Sequence, residues 1–360
     1  MAQLLDDIEW GQSLLTPVSD PTWEGEVKRR AGQVSEVDRR VAASPWVREV
    51  CVAMTSYRPA AMPPRLFNIG ALVTAQENSC RYCYGANRAY MKILGYSEAF
   101  IERIERDATI AELDEKERAF IAFCRSLARS RPRPMKADYE ALVALGFAKL
   151  AVSEMAMLIA LGCYYNRIGI LIACPPERAF ERIANSLAGR LLAPVMRMFM
   201  SMHKPPQPAT LDAATLLAGP FGSVVATLEG LPGATIFRAG LDSAFASAIL
   251  PRVVKALMFA VVARTLGCRR SEAEARRLLA EEDFSDAEID AAIVTLRSPR
   301  LSERDALLLP WVRNTVYYQT AAVQKQTAAL AAEIGEAALL EAVGVAALAN
   351  ATVRLAMLLE

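Results

Sequence analysis

The chain has 360 residues, of which 53% are hydrophobic and 22% charged, the balance of a globular protein long enough for two or three domains. Its formal net charge of +1 provides no strong field for nucleic acid or anionic lipid, so we expect neither as a partner. The 7 cysteines are odd in number and mostly lie in apolar helical stretches, which argues against a secreted disulfide framework.

Membrane insertion is also not expected. The apolar run 155–166 is too short to span a bilayer and is bounded by Glu154 and Arg167. The chain begins with Asp6, Asp7 and Glu9, where a signal peptide would carry basic residues. We therefore predict a cytoplasmic protein outside the membrane.

The predicted elements are almost all helical, because apolar positions recur at spacings of three and four. Residues 1–40 are predicted to be an N-terminal arm that ends in a charged helix near Glu36 to Arg40. A first domain at 41–175 follows. Its helices are predicted at 64–77, 80–94, from Ser97 onward, 113–130, 136–145 and 148–173. Pro64, Gly95 and the Arg131-Pro132-Arg133-Pro134 run supply start and stop signals.

The remainder is predicted to be a linker with helical pieces at 176–234 and a second domain at 235–360. Similar residues recur in the two domains at a nearly constant offset along the chain. A shift of 188 residues places Cys80 on Cys268, Ser97 on Ser285 and Leu113 on Leu301, and a shift of 187 places Arg167 on Arg354. The sequence therefore predicts an all-α protein made of two tandem repeats that form a pseudo-dimer.

Cys80 and Cys83 form the strongest local motif. Residues three apart lie on the same helix face, so the two sulfurs can approach each other. At the start of a helix, free N–H groups and the helix dipole favour a thiolate. Such a pair can attack a peroxide or a disulfide and resolve as an internal disulfide. Two alternatives are structural cysteines and half of a zinc site, although the chain has no second Cys-x-x-Cys.

The run Glu77-Asn78-Ser79-Cys80-Arg81-Tyr82-Cys83, followed by Asn87 and Leu94-Gly95-Tyr96-Ser97, resembles the signature of the AhpD-like and carboxymuconolactone decarboxylase family. Residues 113–120 and Asn166-Arg167-Ile168 are similar to that family as well. The resemblance implies an all-α fold that forms homo-oligomers. It also implies alkylhydroperoxide reduction, in which a Glu and a His relay protons and the second cysteine attacks the peroxide. On this basis Cys83 would attack, whereas helix geometry favours Cys80, and both assignments stay open here.

The sequence departs from the family pattern at its proton relay. The His four residues after the second cysteine is Asn87, and the Glu twelve residues before the first cysteine is Asn68. Neither amide is a general base at neutral pH, although each can hydrogen-bond a substrate or water. Glu77 is a candidate replacement, or else a solvated carboxylate at a helix end.

Other polar residues near the motif complete the predicted site. Glu154 is either a buried acid with a raised pKa or a partner of Lys149. Tyr82 is either a hydroxyl donor or a packing residue, and Arg88 adds positive charge. We thus predict two groups, catalytic residues and substrate-binding residues, without cofactor or metal: Cys80, Cys83, Glu77 and Asn87 in the first, and Tyr82, Asn68, Arg88 and Glu154 in the second.

The second repeat has Ser271 and Ala275 where a cysteine and a His would stand, so Cys268 cannot form the internal disulfide.

The leading functional hypothesis is a thiol-dependent oxidoreductase that acts on a small-molecule hydroperoxide or a disulfide, with a thiol electron donor. A cofactor-free lyase on a small carboxylated substrate is an alternative, and it predicts an apolar pocket with one or two arginines. A non-catalytic binding protein is the third hypothesis.

Overall fold

The computed structural model describes residue 5 and residues 8–106, 113–317 and 319–360, so residues 1–4 and 6–7 of the predicted arm lie outside the described part. Within these ranges the regular structure is entirely helical, which confirms the all-α prediction. The described residues of the first part form nine α-helices: α1 (Pro21–Ala31), α2 (Glu36–Arg40), α3 (Pro45–Ser56), α4 (Pro64–Glu77), α5 (Arg81–Leu94), α6 (Glu98–Arg106), α7 (Glu115–Arg129), α8 (Lys136–Ala144) and α9 (Lys149–Leu171).

The middle segment and the C-terminal part of the described chain are helical too. The middle segment holds α10 (Arg178–Asn185), α11 (Leu187–Met202), α12 (Ala213–Leu217), α13 (Gly222–Val225) and a 3-10 turn at Ala226–Leu228. The C-terminal part holds α14 (Ala234–Ala246), α15 (Arg252–Leu266), α16 (Arg269–Ala280), α17 (Asp286–Thr295), α18 (Glu303–Ala306), α19 (Leu308–Asn314), α20 (Thr320–Ile334) and α21 (Glu336–Met357).

Local sequence signals set most helix ends in the first part. Gly95 takes a left-handed conformation (φ 95°) that ends α5, and the Ser97 hydroxyl accepts the Phe100 N–H in the first turn of α6. Asp114 and Glu117 form a capping box that starts α7. The predicted helix boundaries are thus confirmed to within a few residues, because caps and prolines act locally.

The two longest helices, α9 and α21, pack against each other at the centre of the molecule. Nearly all residues of each are buried, which explains why both are apolar around their whole circumference. Among the described helices, α21 is long and apolar enough to cross a bilayer, but that stretch is almost wholly covered by other helices, as expected of a core helix. Arg354 of α21 donates to the Ala128 carbonyl of α7 at 3.1 Å, so the two parts of the chain interlock.

The N-terminal segment packs onto the helical body. The Trp10 indole N–H donates to the Cys174 carbonyl at 2.9 Å, and the Gly11 N–H donates to the Gln324 side chain of α20 at 2.8 Å. Val27 of α1 and Val37 of α2 are fully buried. The described residues of the predicted arm therefore form one wall of the molecule.

Candidate active site

The cysteine pair lies where α4 breaks and α5 begins. Ser79 takes a left-handed conformation (φ 55°), and Cys80 is the N-cap residue of α5, with its sulfur accepting the Cys83 N–H at 3.4 Å. The side chains of Cys80 and Cys83 are close enough to affect each other's ionisation, and both are free thiols. The geometry of a first helical turn thus holds the two sulfurs together, as the spacing predicts.

Only Cys83 of this pair faces open space. It lies in the wall of a cavity of about 320 Å³, whereas Cys80 is covered on all sides. Gly169 of α9 contributes to this cover: a Cβ placed on it would stand 3.4 Å from the Cys80 sulfur, an ordinary van der Waals contact. A molecule that enters the cavity would therefore meet Cys83 first.

The cavity has a predominantly apolar lining with a few polar groups. Four residues predicted from the sequence line it together: Tyr82, Cys83, Asn68 and Asn87. The Asn87 amide donates to the Ala71 carbonyl at 3.2 Å, and the Asn68 amide donates to the Tyr96 hydroxyl at 3.4 Å. The two asparagines thus occupy the cavity wall at the positions where the resemblance implies a His and a Glu.

Burial controls the state of the Cys83 thiol. Removal from water, together with the contact to Cys80, raises the pKa of Cys83 well above its ordinary value. The thiol is therefore protonated at neutral pH, so the helix N-terminus does not by itself supply a thiolate at this sulfur. A base close to the cavity is needed to take the proton during attack.

Polar groups cluster at one end of the cavity. The Tyr82 hydroxyl donates to Glu177, at 3.1 Å, and the same carboxylate accepts the Glu36 N–H at 2.7 Å. The Ser35 hydroxyl donates to Asp38 at 2.7 Å and lies 3.3 Å from the Tyr165 hydroxyl. These side chains come from α2, its N-cap, α5, α9 and the residue before α10, so they meet only in the folded chain.

Burial also changes the ionisation of this cluster. It raises the pKa of Asp38 and of Glu177, although hydrogen bonds from Ser35 and from the Glu36 N–H, respectively, oppose the shift. It raises the pKa values of Tyr82 and Tyr165 well above their ordinary values, so both hydroxyls stay protonated. The cluster therefore combines two carboxyl groups that can exchange protons with two hydroxyls that can pass them on.

Two carboxylates that the sequence assigns to the site lie away from the cavity. Glu77 is buried against α7, where Arg125 and Arg129 approach its oxygens at 3.4 and 3.3 Å. Burial raises the pKa of Glu77, with the two arginines opposing the shift. Glu154 is fully buried and accepts from the Tyr57 hydroxyl at 2.6 Å.

Glu154, predicted to bind substrate, has a tyrosine hydroxyl and backbone groups of a loop as its partners. Besides Tyr57, it accepts three backbone N–H groups, those of Ala60, Ala61 and Met62, at 2.6–2.8 Å. It therefore fixes the loop between α3 and α4 and does not pair with Lys149. Neither Glu77 nor Glu154 lines the cavity, because each is turned toward other partners.

Arg88 also does not line the cavity. It pairs with Glu98 and, at 2.9 Å, with the buried Glu105 of α6. The predicted positive charge is thus present on α5 but is directed toward α6. Substrate binding by Arg88 is not supported by this geometry.

The position in the C-terminal part that corresponds to Cys80 is buried and lies outside the cavity. Cys268 is the N-cap residue of α16, and its sulfur lies 3.4 Å from both the Ser271 hydroxyl oxygen and a Glu360 carboxylate oxygen. Burial raises the pKa of Cys268, although hydrogen bonds from Ser271 oppose the shift. Gly267, at φ 70°, has the left-handed conformation that Ser79 has before Cys80. The two sites are alike in backbone but differ in chemistry.

Several cavity residues have no counterpart in the sequence prediction. Ser35, Asp38, Tyr165 and Glu177 were not predicted to belong to the site, and Asn166 entered only through the family resemblance. A Ser-x-x-Asp capping box and a Tyr-Asn pair inside an apolar helix are visible in the sequence. Neither signal indicates that the two segments meet, because α2 and α9 lie far apart in the chain.

Comparison with known proteins yields a structural similarity. The chain is similar to a crystal structure described as the alkylhydroperoxidase AhpD core, an uncharacterized peroxidase-related protein from Ralstonia eutropha JMP134. The identity is 20%, the TM-score is 0.42, and the similarity covers 48% of this chain and 96% of that chain. No protein-family model and no curated protein matches the sequence. The function therefore has to be inferred from the cavity.

Proposed function

We propose that this protein is a thiol-dependent oxidoreductase that reduces an organic hydroperoxide at Cys83, with Cys80 as the resolving thiol. The observation that carries the proposal is the position of Cys83, which lies in the wall of an apolar cavity and in contact with a second thiol. An apolar cavity favours a hydroperoxide with a hydrocarbon body over hydrogen peroxide.

The chemistry follows from the two thiols. The Cys83 sulfur attacks the terminal oxygen of the hydroperoxide, the O–O bond breaks, and the alkoxide leaves as an alcohol after it gains a proton. Cys83 is then a sulfenic acid, which the Cys80 thiol attacks to form a disulfide and release water. An external dithiol returns the pair to two thiols by exchange.

The proposal is tested by mapping the thiols after oxidation. Purified protein is treated with cumene hydroperoxide, alkylated and analysed by mass spectrometry. We expect a Cys80–Cys83 disulfide that dithiothreitol reverses and that is missing in Cys83→Ser, because adjacent thiols on one turn satisfy the distance that a disulfide needs. Two thiols that stay reduced under these conditions would contradict the proposed function.

One observation favours a second candidate, a lyase that acts on a carboxylated substrate. Arg58 lies in the wall of the same apolar cavity, where its guanidinium can meet a carboxylate. Such an enzyme would keep its activity after Cys83 is alkylated with a small reagent. A hydroperoxide reductase would lose it, so alkylation separates the two.

We further propose that the chain is a tandem of two AhpD-like units, 41–175 and 235–360. The order of helices around Cys268 supports this, since α15, α16 and α17 begin 188 residues after α4, α5 and α6. The packing of α9 against α21 supports an internal pseudo-dimer. Because every cysteine is a free thiol, a reducing compartment such as the cytoplasm is the proposed location.

The middle segment supports association with a second copy of the chain. On α11, Met196 and Met200 pack toward α5, while Leu187, Leu191, Val195, Met198 and Met202 form an exposed apolar stripe on another face. A helix that is apolar on two faces is stable in water only when both are covered. We expect the wild type to elute as a dimer or larger species and Leu191→Glu to shift it to the monomer, as measured by light scattering after size exclusion. A monomeric wild type would contradict this.

A further inference from the structure

The cavity beside Cys83 is lined by both buried and solvent-exposed residues. Among the described residues of its wall, Gln33 and Arg58 are the exposed ones, whereas Cys83 is only 5% exposed. The cavity therefore has an outer part beside Arg58 and an inner part at the thiol. Arg58 is also the one lysine or arginine among the described lining residues, so the outer part carries a positive charge.

Arg58 follows the end of α3, and part of its side chain caps that helix. Its Nη1 donates to the Thr55 and Tyr57 carbonyls at 3.3 and 3.1 Å, and its backbone N–H donates to Gln207 Oε1 at 2.9 Å. No carboxylate in the described part of the chain forms an ion pair with Arg58. A guanidinium has five N–H donors in a planar fork, so the donors that the cap does not use can bind an anionic ligand.

One face of α5 leads from the thiol to this outer part. Cys83, Ala86, Asn87 and Tyr90 all line the cavity, at the spacings of three and four that define a single helix face. At the rise of an α-helix, Tyr90 stands about 10 Å from Cys83 along the axis. Burial raises the pKa of Tyr90, and the nearby charge of Arg58 opposes the shift. The Tyr90 hydroxyl therefore stays protonated and provides a second donor close to the guanidinium.

The acidic groups of the wall lie nearer to the thiol. Glu177 accepts from the hydroxyl of Tyr82, the residue next to Cys83, at 3.1 Å, and Asp38 belongs to the same polar cluster. A carboxylate on a ligand is repelled by this cluster and attracted by Arg58, whereas an uncharged –OOH group is not repelled there. The charges thus favour one orientation, with an anionic head outward and the reactive group inward.

We propose that the substrate is an organic hydroperoxide that also carries a carboxylate, as a fatty-acid hydroperoxide does, and that Arg58 and the Tyr90 hydroxyl bind this carboxylate. The hydrocarbon chain covers the distance of roughly 10 Å along α5 and places the –OOH group at Cys83. This inference rests on the proposed function and deepens it by naming the substrate class. Arg58 determines specificity and takes no part in the oxygen transfer, so its presence in the wall does not require a lyase reaction.

The kinetic test compares linoleic acid hydroperoxide with its methyl ester, which has the same chain and –OOH group without the carboxylate. We expect the wild type to prefer the acid about tenfold in kcat/KM, the factor of one charge-assisted hydrogen bond. Arg58→Met should lose this preference through a higher KM for the acid, because the carboxylate contact is the same before and during the reaction. A general disturbance of the cavity would instead slow the reaction of both substrates.

Arg300→Met is the matched control. Arg300 is also exposed and donates to the Asp283 and Glu282 carbonyls at 2.7 and 2.9 Å, but it lies outside the cavity. We expect this variant to keep the wild-type preference for the acid. Arg58→Lys should retain part of the preference, because lysine keeps the charge and loses the planar fork.

Calorimetric titration with linoleic acid, which has no peroxide group, separates this inference from the proposed function. We expect the Kd to rise about tenfold in Arg58→Met and to keep its wild-type value in Arg300→Met. An equal Kd in the wild type and Arg58→Met, with equal kinetics for acid and ester, would overturn the carboxylate contact. The proposed function would then still stand if cumene hydroperoxide oxidises Cys83. A wild type that binds linoleic acid through Arg58 but that no hydroperoxide oxidises would overturn the proposed function and leave the carboxylate contact standing.

Discussion

Cys83→Ser is expected to abolish hydroperoxide reduction, whereas Cys80→Ser is expected to complete one fast turnover per chain and then to continue only slowly. The difference follows from position, because Cys83 lines the cavity and Cys80 lies behind it as the cap of α5. Without Cys83 no nucleophile meets the substrate. Without Cys80 the sulfenic acid forms once but has no neighbouring thiol to resolve it.

The measurement is the consumption of cumene hydroperoxide with dithiothreitol as reductant, followed from the first turnover onward. Cys80→Ser should give a burst of about one equivalent per chain, with sulfenic acid detected on Cys83 by dimedone. Slow direct reduction by dithiothreitol follows the burst. Multiple turnovers in Cys83→Ser at the wild-type rate would show that the reaction occurs elsewhere.

Cys268→Ser is the matched control for these variants. Cys268 is the cap of α16 as Cys80 is of α5, but it faces Ser271 and Glu360 and lies outside the cavity. Serine is a good N-cap residue, so the helix should keep its start. We expect wild-type hydroperoxide reduction from this variant.

The second large effect is expected on stability, from Lys255→Met. Lys255 is fully buried on α15 and pairs with the fully buried Glu341 of α21 at 2.9 Å. Its ammonium also donates to the Ala244 and Ser247 carbonyls, at 2.6 Å each, and the Trp46 indole N–H donates to Glu341 at 2.6 Å. The ion pair and its hydrogen bonds together connect α3, α14, α15 and α21.

Loss of the lysine leaves a buried carboxylate for which the Trp46 N–H is the one hydrogen-bond donor among the described residues. Removal of one member of a buried ion pair costs about 3–5 kcal/mol, and we expect a decrease of this size in the free energy of unfolding measured in urea. The double variant Lys255→Met, Glu341→Gln should recover part of the loss, because glutamine is uncharged and still accepts from Trp46.

Lys136→Met is the matched control for stability. Lys136 pairs with Glu140 at 3.3 Å on the exposed surface of α8. Exposed pairs contribute only about 0–1 kcal/mol, because water competes for both charges. A Lys255→Met variant as stable as Lys136→Met would contradict the role given to the buried pair.

Part of the site could be read from local sequence. The break at Asn78-Ser79 and the three-residue spacing place Cys80 and Cys83 on the first turn of one helix, and this geometry is present in the structure. Asn68 and Asn87 were predicted as hydrogen-bonding residues near the pair, and both line the cavity. Spacing along one or two neighbouring helices fixes these positions, since helical geometry is regular.

Long-range packing placed the other predicted residues. Glu77 and Arg88 lie on α4 and α5 near the cysteines, but each turns toward an oppositely charged group on a neighbouring helix. Glu154 is buried, which is one of the two alternatives that the sequence leaves open, and its partners come from a loop about a hundred residues earlier in the chain. Charge alone does not indicate which neighbour will be nearest.

The sequence by itself determined the all-α class, the ends of most helices and the paired thiols, because propensities, caps and prolines act within a few residues. Only the tertiary structure decided which thiol meets a cavity and which polar groups surround it. Asp38 reaches that cavity because α2 packs near the start of α5 and the middle of α9. Such contacts depend on how buried surfaces from distant segments fit together, and hydrophobic periodicity defines the buried faces without defining their partners.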